Sequence, residues 1–177
     1  RQLNIVTGRN RVDYNTGDVT ALEGGDSGVA FQFALDASEL GAMYANSIHL
    51  VGTEKGLGVN SEGLVQSVTD LDIDVDGNVR LKNALANDSI RINAHEGDVE
   101  LNEKVYSSTV NISTEGKIAN NGLLAASEKI SLQAAEVVQL GELYAGLNSD
   151  NSLNIDAVLQ MDIEKTLENK GVLYAGS

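Results

Sequence analysis

The chain has 177 residues, enough to bury one sizeable core. It carries 26 Asp and Glu against 12 Lys and Arg, a net charge of −14. That balance argues against partners that need a basic patch, nucleic acid and anionic membrane surfaces among them. There is no cysteine to staple the fold, and no apolar run approaches the ~20 residues of a membrane span.

In chain order, Leu3-Asn4-Ile5-Val6 reads as a strand. Asn15-Thr16-Gly17-Asp18 is a turn signal between Val12 and Val19-Thr20-Ala21-Leu22, which together suggest a hairpin. Glu23 to Gly28 reads as a flexible loop and Val29 to Leu35 as a further strand. Asp36-Ala37-Ser38-Glu39-Leu40 is compatible with one helical turn. No signal peptide is visible, and the chain begins and ends within its pattern, as an excised fragment would.

From Gly41 the chain becomes periodic. Ile48-His49-Leu50 is followed by Leu71-Asp72-Ile73, Ile90-Arg91-Ile92, Val110-Asn111-Ile112, Ile130-Ser131-Leu132 and Leu153-Asn154-Ile155, with starts 23, 19, 20, 20 and 23 residues apart. A second apolar pair follows, often after a glycine: Val79-Arg80-Leu81, Val99-Glu100-Leu101 and Ile118. Val137 with Leu140, then Met161 with Ile163, fill that place in later copies. A third segment recurs as Met43-Tyr44-Ala45, Leu123-Leu124-Ala125, Leu143-Tyr144-Ala145 and Leu173-Tyr174-Ala175. The stretches near 61–70 and 146–152 lengthen their turns by about three residues and are expected to bulge as loops.

Each segment is too short for a helix and places two apolar residues on one side of a polar one, which is strand alternation. Three short strands per 20 residues cannot bury themselves alone. Stacked on the next copy they make three parallel sheets around a narrow core. The fold class expected is therefore all-β, a single parallel β-helix with three-stranded turns of about 20 residues. A leucine-rich repeat has a similar period, but its Leu-x-x-Leu-x-Leu-x-x-Asn signature is absent. The shortage of aromatics, seven in all, suits a core built from columns of aliphatic side chains.

The run Gly41 to Gly63 contains Ile48-His49-Leu50-Val51-Gly52-Thr53-Glu54-Lys55-Gly56-Leu57-Gly58-Val59. Leu35-Asp36 lies ahead of it, and Val6-Thr7-Gly8-Arg9-Asn10-Arg11-Val12-Asp13 further upstream. These residues resemble the filamentous-haemagglutinin family, the large exoproteins of bacterial two-partner secretion, which include adhesins and the stalks of contact-dependent growth-inhibition proteins. Residues 64–177 resemble that family's looser haemagglutinin-type repeats. The resemblance implies a right-handed β-helical filament, exported through an outer-membrane two-partner-secretion transporter and displayed at the bacterial surface. It implies virulence-related adhesion or toxin delivery, with a host or neighbouring-cell receptor engaged by distal regions. One departure stands out: the family's secretion domain carries Asn-Pro-Asn motifs, and this chain has no proline. Residues 1–40 are therefore expected to be the end of a secretion-domain-like β-helix with a side hairpin, and residues 41–177 the haemagglutinin-repeat shaft.

Few constellations suggest chemistry. Asp72, Asp74, Asp76 and Gly77 fit the opening of an EF-hand loop, but position 83, where the bidentate Glu should stand, is Asn. The interleaved Leu71, Ile73 and Val75 make the acids the outer face of a strand. His49 and His95 lie far apart in sequence, and no Gly-x-Ser-x-Gly elbow supports a Ser-His-Asp set. Asp72 with Arg91, and Arg80 with Glu100, are charged couples that adjacent parallel strands would pair. No Thr-x-Thr rows of the ice-binding kind occur. Tyr44, Tyr144 and Tyr174 share one place in the third strand, either as cover for a loop or as a strip for sugars. The expectation is a non-catalytic shaft with no catalytic, cofactor or metal residues, no cofactor and no membrane insertion. The alternative is a β-helical carbohydrate-active enzyme or polysaccharide-binding module, which would show a cleft with converging acids.

Overall fold

Alternating aliphatic and polar residues make short extended segments, and glycine corners fold each segment onto the next. The computed structural model describes residues 1–8, 10–13, 16, 18–22, 33–37 and 41–176. Its strands are β1 (Gln2–Thr7), β2 (Asn10–Val12), β3 (Val19–Ala21), β4 (Phe33–Ala37), β5 (Met43–Ala45), β6 (Ser47–Gly52), β7 (Gly58–Ser67) and β8 (Asp70–Val75). They continue as β9 (Val79–Leu85), β10 (Ser89–Asn93), β11 (Val99–Ser113), β12 (Lys117–Asn120), β13 (Leu123–Gln139), β14 (Glu142–Ala145), β15 (Val158–Asn169) and β16 (Val172–Ala175). All pair in parallel except β2 with β3, an antiparallel pair that joins Val12 to Val19. The architecture is an all-β solenoid of stacked turns wrapped around three faces.

The first face stacks β1, β6, β8, β10, then the later parts of β11 and β13, then β15. Its two inward columns are Leu3, Ile48, Leu71, Ile90, Val110, Ile130, Leu159 and Ile5, Leu50, Ile73, Ile92, Ile112, Leu132, Met161. The second face carries Leu35, Val59, Val79, Val99, Ile118, Val137 and Leu167 in one column. The third carries Met43, Val65, Ala84, Val105, Leu124, Leu143 and Leu173. Most members between Ile48 and Leu143 are sealed from solvent. Each fully buried Leu, Ile or Val contributes about 1.5–3 kcal/mol, so the columns dominate the stability.

The corners demand glycine because successive turns touch there. A Cβ on Gly97 would lie 2.2 Å from the Gly77 carbonyl carbon, and one on Gly141 would lie 2.0 Å from the Gly122 oxygen. Both are far inside contact distance, so backbone of one turn occupies the space a side chain would need.

Five expectations are corrected. The stretch near 61–70, expected to bulge as a loop, is mostly strand: β7 runs to Ser67 with a register shift between Ser61 and Leu64, and β8 starts at Asp70. The last first-face copy is Leu159-Gln160-Met161, not Leu153-Asn154-Ile155; Leu153 and Ile155 are exposed, at 49% and 62%. They lie in an insertion after β14, where Leu147 and Leu153 form an antiparallel bridge. Met161 accordingly belongs to the first face, and Leu167 takes the second-face place beside Val137. Leu140 points outward and Gln139 fills the inner position before the corner. Asp36 and Ala37 are strand, bound to Asn60 and Ser61 of β7, rather than the start of a helical turn. The loop expected over 23–28, and residues 38–40, lie outside the described residues. Among the described residues no helix is long and apolar enough to cross a membrane.

Candidate functional site

The parallel register turns each outward position into a row that runs along the solenoid. On the first face His49, Asp72, Arg91, Asn111 and Ser131 stand in one row, as their spacing predicts, and Gln160 rather than Asn154 follows them. Asp72 lies between an imidazole and a guanidinium: His49 Nδ1 is 3.8 Å from Asp72 Oδ2, and Arg91 Nη1 is 3.3 Å from Asp72 Oδ1. Asp74 takes a different partner, His95 Nε2 at 2.8 Å, from a left-handed His95 at the following corner. The two histidines thus serve separate carboxylates. Asp72 and Asp74 sit at alternate positions of the extended β8, with separate partners. Among the described residues no group of three or more His, Cys, Asp or Glu is arranged around a common point for a metal.

On the second face Arg80 Nε reaches Glu100 Oε2 at 3.2 Å, and Lys82 reaches Glu103 at 3.4 Å. Asn83 also donates to Glu103, and that bond, with Lys82 beside it, holds the Glu103 carboxyl below its ordinary range. Asn78 and Asp98 link turns through backbone: Asn78 Oδ1 accepts from the Asp98 amide, and Asp98 Oδ1 from the Lys117 amide, both at 2.8 Å. Each contact joins one turn to its neighbour. The exposed Arg80–Glu100 pair is worth about 0.2–1 kcal/mol, and contacts of this kind trim the register that the core sets.

Sequence reasoning missed a buried polar column. The second inner column of the second face runs Leu81, Leu101, Asn120, Gln139, Asn169. Asn120 and Gln139 are 1% and 0% exposed. Asn120 Nδ2 donates to Gln139 Oε1 at 2.9 Å and to the Glu142 carbonyl at 3.0 Å, and Gln139 Nε2 donates to the Val172 carbonyl at 3.2 Å. The signal was available: Asn120, Gln139 and Asn169 each stand two residues before a corner glycine.

The third-face outward row reads Tyr44, Gln66, Leu85, Tyr106, Ala125, Tyr144, Tyr174. It brings Tyr144 and Tyr174 together, ring centroids 5.9 Å apart, and leaves Tyr44 distant and 65% exposed. It also adds Tyr106, which the repeat pattern had not singled out. Burial, and to a lesser degree the Asp150 carboxylate, push the Tyr106 phenol above its ordinary value of 10.0. Asp150 is itself held low by hydrogen bonds from the Ser152 hydroxyl and amide.

A solenoid stacked by parallel ladders, with faces ruled by pairs between adjacent turns, defines a class: the repetitive β-solenoid. Comparison with known proteins narrows it. No family model and no solved structure matches the chain. It is 30% identical over 156 residues, 88% of its length, to the tRNA nuclease CdiA of Yersinia mollaretii. It is 32% identical over 151 residues to the tRNA nuclease CdiA of Escherichia coli strain STEC_O31, and 30% identical over 177 aligned positions to the 16S rRNA endonuclease CdiA of Enterobacter cloacae. The chain therefore belongs to the two-partner-secretion exoprotein family with its contact-dependent growth-inhibition members, the family its opening residues resemble. It spans only 5% of the length of the first of these relatives and 4% of the second, so their nuclease names describe proteins of which it matches a small part.

Proposed function

We propose that the chain is a non-catalytic shaft segment of a secreted, surface-displayed two-partner-secretion exoprotein, an adhesin or a growth-inhibition stalk. Residues 1–40 form the end of a secretion-domain-like solenoid and residues 41–177 the shaft. One observation carries the reading. The inner columns run from Leu3 to Leu159 and from Met43 to Leu173 through every turn, and the charged couples Arg91–Asp72 and Arg80–Glu100 join neighbouring turns. Such a stack supplies length and stiffness. Export through an outer-membrane transporter and receptor engagement by distal regions complete the proposal.

The test is made in the whole exoprotein. Asp72, Arg80, Arg91 and Glu100 are all replaced by Ala. A shaft is expected to be exported, displayed and as active in its whole-cell assay as the parent. A carbohydrate-active enzyme working through these acids and cations would lose activity while remaining folded, and that result would overturn the proposal. Antibody against this segment should label intact cells and should stop labelling them when the transporter gene is removed.

A further inference from the structure

The insertion between β14 and β15 is ordered and closes over one edge of the stack. Asn154 Nδ2 donates to the Ser127 carbonyl at 2.8 Å, and the Asn154 amide donates to the Gly146 carbonyl at 2.7 Å. Asn148 and Ser152 are bonded through both backbone and side chain, at 2.9 Å each. Asp150 Oδ1 accepts from the Ser152 hydroxyl at 2.6 Å. Between this insertion and the solenoid lies a concavity of about 380 Å³, lined by Asn87, Tyr106, Ser108, Ser127, Asn148 and Asp150. Its size falls within the range of small-molecule sites.

The lining has a definite chemistry. Tyr106 is half-buried and presents a ring with an amphipathic edge. Its hydroxyl, the Asn87 amide and the Ser127 hydroxyl have no hydrogen-bond partner among the described residues, and all three belong to one concavity. Asp150 adds an acceptor-only group, and Asn148 keeps its side-chain Oδ1 open while its Nδ2 donates to Ser152. An anionic ligand would meet Asp150 on a chain of net charge −14. A cationic ligand would compete with Lys104, whose Nζ already lies 5.7 Å from the Tyr106 ring centre. An apolar ligand would strand the amides and hydroxyls. A neutral, polyhydroxylated ligand satisfies all of them at once.

We propose that this concavity is a binding site for neutral sugars, carried on the side of the solenoid by the one described insertion that folds back onto it. Insertions in a stacked fold map to one face and are where such folds place recognition. Tyr106 supplies the platform under the sugar ring, Asp150 and Asn148 accept from its hydroxyls, and Asn87 donates.

The test uses the 177-residue chain, labelled with nitrogen-15. Maltose, lactose and N,N′-diacetylchitobiose are each titrated to ~50 mM, well above the millimolar dissociation constants expected of one small open site. At least one sugar should give saturable shifts at the amides of Tyr106, Ser108, Asn148 and Asp150. Tyr106→Ala and, separately, the exposed Asn148→Ala should each weaken that binding about tenfold or more, with the rest of the spectrum unchanged. Tyr174→Ala, which lies outside the concavity, should leave it intact. The proposal is overturned if no sugar shifts those amides, or if Asn148→Ala and a folded Tyr106→Ala bind like the parent. Shifts that centre on Tyr144 and Tyr174 would overturn it too.

Discussion

A single inward side chain carries much of a turn. Ile112 is 2% exposed and is stacked between Ile92 and Leu132. Ile112→Asp puts an unpaired carboxylate in that column at a cost of several kcal/mol. The melting temperature should fall by roughly 10 °C or more; an unchanged melt would show the register to be wrong. Asn120 and Gln139 act as a pair. Truncating Asn120 to Ala leaves Gln139 Oε1 without its donor, and truncating Gln139 leaves one Asn120 N–H unpaired, so a double-mutant cycle should read a coupling of about 1 kcal/mol. Tyr106 gives a pH signature. Its phenol, raised by burial and then by Asp150, keeps its proton in the folded chain after the unfolded chain has lost it. The folded state thus binds more protons above the ordinary tyrosine range, and stability falls as pH rises through it. Asp150→Asn should move the Tyr106 titration back toward 10.0, read by ultraviolet absorbance against the other tyrosines. Single residues were also where sequence reading fell short. The template demanded aliphatic residues inside, so buried Asn120 was passed over, and Tyr106 was missed because Lys104-Val105-Tyr106 lacks the glycine that marks its sister segments.

At the scale of the element, the strands were legible, and the loop expected near 146–152 was present but runs on through Ile155 to the start of β15 at Val158. Leu71, Ile90, Val110 and Ile130 are spaced by 19 or 20 residues, and they pair as that spacing predicts. Leu153-Asn154-Ile155 has the same aliphatic-polar-aliphatic pattern, but nothing local distinguishes a strand from a surface loop of that composition. What decides is the next turn: Leu159 and Met161 reach the core edge, and a column has room for one pair per turn. The register also predicts the outcome of deleting residues 90–109. Val110 and Ile112 should stack on Leu71 and Ile73, Ile118 on Val79, and Leu124 on Ala84. The ion pairs of Asp72 with Arg91 and Arg80 with Glu100 are lost, at about 1 kcal/mol together, and with them the Asp74–His95 and Lys82–Glu103 contacts. The shortened chain should still melt cooperatively, and small-angle scattering should show it shorter by ~4.8 Å. A collapsed or molten product would contradict strictly nearest-neighbour stacking.

For the whole molecule, charge sets the solution behaviour. A net charge of −14 on a narrow stack repels itself along its length. Raising ionic strength from about 10 mM to about 150 mM shortens the screening distance from roughly 30 Å to roughly 8 Å, and the melting temperature should rise with it. A melt that falls with salt would assign the exposed ion pairs a larger share than this argument allows. The fold class and the family could be read from periodicity and from the run at Ile48 to Val59. The concavity beside Tyr106 could not, because Asn87, Ser108, Ser127 and Asp150 come from four different stretches that only the stacking brings together.

The parallel ladders also fix how such a rod answers a pull. The bonds between turns lie along the rod's axis, and each turn is held only by the ones beside it. Tension applied at the ends therefore opens the terminal turn first and leaves the interior under unchanged constraint. Each turn released gives up ~4.8 Å of rod and pays out about 65 Å of extended chain. A rod of this construction, stiff until its end turn opens, then lengthens in steps at a nearly constant force, like a brake line on a reel.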